Sequence, residues 1–124
     1  MANRHFSVEE ANAALGWVAE RIELLRSARE RLTDEEVREA LGEAAPTNGG
    51  GEPGRHVSEA FLDMRGALTD LQEQQIVLRD LDRGLVDFPA LRDGREVYLC
   101  WIEGENEIAF WHDLDAGYGG RQPL

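Results

Sequence analysis

Two apolar seams, each spaced alternately by four and three residues, constrain this chain most. Ala11, Leu15, Val18, Ile22, Leu25 and Leu32 form the first, broken only by Arg29. Val57, Phe61, Met64, Leu68, Leu71, Gln75 and Leu78 form the second, with Gln75 its one polar member. A four-three alternation keeps a narrow stripe turned toward a partner helix over many turns. Ser7 and Glu10 make a capping box at the start of the first helix, and Phe6 is placed to staple against Ala11. Thr33 and Glu36 repeat the box and offer a restart after a kink. A continuous or slightly bent helix over 7–42 is favoured, since no Pro or Gly follows Thr33 until Gly42.

Residues 43–55, with Pro46, Asn48, Gly49, Gly50, Gly51, Pro53 and Gly54, read as a flexible tip. No strand precedes the glycines and no Gly-Lys-Ser/Thr follows, so a phosphate cradle is rejected. A second helix over 56–82 then closes an antiparallel coiled-coil hairpin, roughly 50 Å long at about 1.5 Å per residue. The first helix carries a further stripe, Ala14, Trp17, Leu24 and Ala28, which is more apolar surface than one partner needs.

From Gly84 the pattern turns strand-like. Leu85–Phe88 before Pro89, then 96–102 and 107–112, predict a three-stranded antiparallel meander over 84–112, followed by a tail, 113–124. The expected class is therefore α+β, in one domain of 124 residues. Glu103-Gly104-Glu105-Asn106 suits a tight type II′ turn. That turn would pair Trp101 with Ile108, Leu99 with Phe110 and Val97 with His112, leaving Tyr98, Cys100, Ile102, Ala109 and Trp111 on the other face. Both faces are apolar, so one needs a cover beyond the helices.

Charge excludes some functions. With 25 acidic residues against 13 basic ones, the formal charge is −12. Such a chain lacks the basic face needed to bind nucleic acid or an anionic membrane. Neither a spanning segment nor a signal-peptide stretch is present, and the single Cys100 fits a reducing cytoplasm.

Chemistry-bearing residues gather late in the chain. Cys100 and His112 suggest a metal or nucleophile pair, but the predicted register turns them to opposite faces, so Cys100 reads as a packed core thiol. His112 is a candidate metal ligand or acid-base group, with Glu105 and Asp115 as acidic partners in catalysis or coordination. Arg121, in a tail with Gly117, Gly119 and Gly120, could fork onto an anion or fold back onto a surface acid.

Phe6-Ser7-Val8-Glu9-Glu10-Ala11-Asn12, the stretch Asp80 to Ala90, and Tyr98-Leu99-Cys100-Trp101 through Gly104-Glu105, Ile108, Trp111-His112, Gly117, Gly120 and Arg121 together carry a resemblance. The chain resembles bacterial domain-of-unknown-function family 2203 along essentially its whole length. The resemblance brings no activity or cofactor with it, but it marks Asp87, Trp101, Glu105, His112, Gly117 and Arg121 as motif members. Asp87, Trp101 and Arg121 are thereby candidate ligand-binding positions.

The leading expectation is a non-enzymatic interaction module that self-associates as a two-fold dimer and requires no cofactor. The alternative is a metal- or anion-binding protein or enzyme, using a divalent metal at the sheet rim around His112.

Overall fold

A computed structural model describes residues 2–42 and 58–124. Three helices, α1 (Val8–Arg31), α2 (Asp34–Leu41) and α3 (Glu59–Glu73), precede five strands. These are β1 (Val77–Asp80), β2 (Leu85–Arg92), β3 (Arg95–Ile102), β4 (Phe110–Asp113) and β5 (Gln122–Pro123). The architecture is α+β. The strands form one antiparallel sheet in sequential order, β1-β2-β3-β4-β5. The predicted tip, 43–55, lies outside the described residues, as does Val57.

The expected long hairpin is broken in two places. The first break is at Leu32, which adopts an extended conformation (φ −111°, ψ 152°). Thr33 then caps α2 with a complete box: its hydroxyl accepts from Glu36 N–H, and the Glu36 carboxylate accepts from Thr33 N–H. The capping chemistry therefore restarts the helix, which is not continuous to residue 42. Terminal N–H groups satisfied in this way offset the backbone bonds that a continuous helix would have kept.

The second break ends α3 at Glu73, well short of residue 82. Gln75 takes a left-handed conformation, φ 63°. Its N–H donates to Gln72 O, and Ile76 N–H donates to Leu71 O, which is a Schellman stop without glycine. The Gln75 side chain compensates for the unfavourable φ. Its Oε1 accepts from the backbone N–H groups of Asn3 and Arg4, at 2.8 and 3.2 Å. Leu78, assigned to the helical seam, lies instead in β1 opposite Val86. That strand and β5 bring the sheet to five strands rather than three.

α1 and α3 still pack side by side. Arg31 pairs with Asp63 and Arg21 with Asp70, so the two helices run in opposite directions. Ala11, Val18, Ile22, Leu25 and Ala28 of α1 meet Ala60, Met64, Ala67 and Leu71 of α3 over one sheet face. Val86, Phe88, Ala90, Val97, Leu99, Trp101 and Trp111 supply that face. A sheet interposed on the seam is what replaces the coiled coil. Among the described residues no helix is long and apolar enough to cross a membrane.

The β3–β4 pairing differs from the expected register by one residue. Leu99 faces Trp111, Tyr98 faces His112, and Cys100 faces Phe110. Gly104 (φ 108°) is the third residue of a turn closed by Glu105 N–H to Ile102 O, so it does not open a two-residue hairpin. Residues 106–109 then detour toward the helices, where Asn12 Oδ1 accepts from Ile108 N–H at 2.7 Å. A shift of one exchanges the faces. Trp111 turns into the helix-facing core, and His112 turns to the side of Cys100.

Candidate metal centre

β2, β3 and β4 each contribute one buried side chain with a metal-ligating atom, Asp87, Cys100 and His112, to the sheet face opposite that of Phe88 and Leu99. Asp87 is the ladder partner of Cys100, and His112 lies diagonally across from Cys100 on β4. Cys100 and His112, expected on opposite faces, thus share one. A carboxylate oxygen, the Cys100 sulfur and a His112 nitrogen all lie within 4.8 Å of one another. Asp87, Cys100 and His112 are 2, 1 and 1 % exposed. Burying an aspartate at that level requires partners for both oxygens. Oδ1 meets His112 Nε2 at 3.0 Å, and Oδ2 accepts from Arg79 Nε at 2.8 Å.

The proton count at His112 is informative. Nδ1 lies 2.7 Å from the Asp113 carbonyl, which only accepts, so Nδ1 carries a proton. Nε2 is left to the cluster, where either a second proton or a cation must sit between it and Asp87. A histidine whose far N–H is committed to a backbone carbonyl has the tautomer and ring orientation of a metal ligand. Tyr98, with its ring 5.6 Å from that of His112, and Arg79, 5.1 Å over the Tyr98 ring, wall this side of the site.

Burial, reinforced by the Asp87 carboxylate, pushes the Cys100 thiol up to about 12, while Arg121 pulls the other way. A thiol in that state is a poor nucleophile until its proton is removed. A bound divalent ion would remove the proton outright. Burial works against the charged form of Arg79, but Asp87 outweighs it and holds the guanidinium above its ordinary range.

The other candidates fall into two groups. Glu105 and Arg121 are brought together, with Arg121 NH2 donating to Glu105 Oε2 at 2.6 Å. Glu105 Oε1 accepts from Ile102 N–H. Burial disfavours the charged Arg121, yet the bond to Glu105 and the nearby Cys100 leave its pKa raised. The Arg121 guanidinium lies 3.9 Å over the ring of Phe110, the strand partner of Cys100, so the tail folds across this face. Trp101 points the opposite way, into the core, and its indole N–H holds the Glu105 carbonyl at 2.9 Å. Asp115 is exposed in the turn after β4 and is not part of the buried cluster. Cys100 is the member of the cluster that the sequence reading assigns to the packed core. Its signal was present in the motif, but the turn assignment hid it.

Neither a curated protein nor a solved structure matches this chain. A family model does match residues 4–124, which include the opening helix motif, Asp87, Cys100, His112 and the tail arginine. The chain belongs to the DUF2203 family of uncharacterised conserved proteins.

Proposed function

We propose that this protein binds one divalent transition metal of zinc-like chemistry through Asp87 Oδ1, Cys100 Sγ and His112 Nε2. The observation that carries the reading is the convergence of a carboxylate oxygen, the Cys100 sulfur and a His112 nitrogen within 4.8 Å, with His112 Nδ1 already committed to Asp113. Ligand atoms about 2.0–2.3 Å from a shared tetrahedral ion stand roughly 3.3–3.8 Å apart. The Asp87–His112 separation of 3.0 Å therefore has to open by only a few tenths of an ångström. One thiolate, one imidazole and one carboxylate suit a borderline ion better than calcium or magnesium, which prefer oxygen. Three protein ligands leave a fourth tetrahedral position open, as in catalytic rather than closed structural zinc sites. A thiol ligand is compatible with a reducing cytoplasm, the compartment we favour.

The test is metal stoichiometry with unfolding. Zn²⁺ at 100 times its dissociation constant is expected to stabilise the folded chain by about 2.7 kcal/mol, reversed by a chelator, at one ion per chain. A denaturation midpoint indifferent to Zn²⁺, together with no stoichiometric uptake, removes the reading.

Self-association is the second reading. The outer side of α1 carries a shallow groove at Ala19, Leu24 and Ser27, with Leu24 42 % exposed. Glu20, Arg21 and Glu23 flank it, a mixture of signs that a two-fold copy could complement. A sedimentation mass of two chains at micromolar concentration supports it, and a mass of one chain sets it aside.

A further inference from the structure

We infer that the Asp87–Cys100–His112 centre takes a small oxyanion, held between the open coordination position and the guanidinium of Arg121. This rests on the metal reading above and names what completes the site. The observation behind it is Arg121 Nε, a buried donor with no hydrogen-bond partner among the described residues. The Arg121 side chain is only 10 % exposed. Buried polar groups in folded proteins are almost always paired, so an orphan here points to a ligand as its acceptor.

The surroundings fix where that ligand lies. Arg121 is immobilised on one side by Glu105 and beneath by Phe110, at 3.9 Å from the ring centroid. Phe110 sits directly opposite Cys100 in the ladder, which stations the guanidinium beside the thiol. Glu105 engages the guanidinium through NH2, and its other oxygen accepts from Ile102 N–H, which leaves Nε unpaired in this arrangement. Tyr118, with Arg83 4.6 Å and Arg121 4.8 Å over its ring, gives the guanidinium a second aromatic contact beside Phe110.

Charge accounting agrees. With a divalent ion bound, Asp87, Glu105 and the Cys100 thiolate contribute three negative charges. The ion, Arg79 and Arg121 contribute four positive ones. The excess favours one anion. A carboxylate or phosphate offers one oxygen to the ion and another to Nε–H, which a halide cannot do.

The experiment uses the Co²⁺-loaded protein. Thiolate-to-cobalt absorption reports loading through Cys100, and the visible d–d bands report the fourth ligand. Acetate and inorganic phosphate are titrated separately, with chloride at matched ionic strength as control. The expected result is a saturable d–d change with acetate, phosphate or both, and none with chloride. Whichever responds names the oxyanion class. Arg121→Lys keeps a positive charge beside Glu105 but lacks Nε, and is expected to weaken the anion by roughly 10–100-fold between equally loaded proteins. Absence of the thiolate band in the wild type removes the metal reading and this inference together. A thiolate band with no oxyanion response, or a response unaltered by Arg121→Lys, overturns the inference alone. The wild-type titration decides the matter even if the variant does not fold.

Discussion

Cys100→Ser is expected to abolish thiolate-to-cobalt absorption and to lower Zn²⁺ affinity by more than the roughly 10–100-fold that loss of an outer-shell partner costs. Serine is nearly isosteric at a position that is 1 % exposed, and Asp87 stands next to it as an acceptor. The metal-free fold is therefore expected to change little, and the loss falls on the ion. A hydroxyl at that depth does not ionise, whereas a thiol gives up its proton to a metal even from the raised value of about 12. Competition titration against a chromophoric chelator measures the difference. An affinity within a few-fold of wild type would show that sulfur is not a ligand.

The second large effect concerns the core beneath the site. Phe88 is fully buried on the helix-facing side of β2, one residue beyond Asp87, and meets Phe6 edge-on at 5.2 Å and 74°. Phe88→Ala is expected to cost about 3–5 kcal/mol, since the cavity is flanked by α1, α3 and a sheet that cannot collapse into it. Urea unfolding should show a lower midpoint with an unchanged slope. A loss below about 1 kcal/mol would mean that the helix–sheet layer is not where the stability resides. Because Phe88 and Cys100 point to opposite faces of the sheet, the two substitutions separate fold from site.

The local chemistry of this chain is legible where a side chain answers its own backbone. The capping box of Ser7 and Glu10 reads directly from the sequence, and both bonds are made. The seam residues Ala11, Val18, Ile22, Leu25, Met64 and Leu71 are buried as their spacing predicts. Gln75 shows where such reading stops. It occupies a seam position, no glycine or proline follows to announce a stop, and its left-handed turn is justified only by Asn3 and Arg4, some seventy residues away. Thr33 carries a restart signal that competes with the unbroken run to Gly42, and no local residue announces the extended conformation of Leu32.

The site suffered from the same kind of distance. The sequence marks Asp87, His112, Glu105 and Arg121, and the structure brings them to one face or its border. Asp115 is near them only in sequence, and Trp101 only in the motif. A two-residue turn at Gly104 would separate Cys100 from His112. The longer connection is held by Asn12 of α1, an interaction that no property of the hairpin alone encodes. A parity error of one residue in a strand is enough to hide a ligand set, since it reverses every side chain at once.

That sensitivity has a consequence for folding. The three candidate ligands come from three successive strands, and they converge only when β2, β3 and β4 are aligned with Asp87 opposite Cys100 and Tyr98 opposite His112. An ion bridging them would discriminate against every mis-threaded sheet, because a slip of either hairpin carries one ligand to the wrong side. The same cation that serves chemistry would then proofread the alignment of the sheet that holds it.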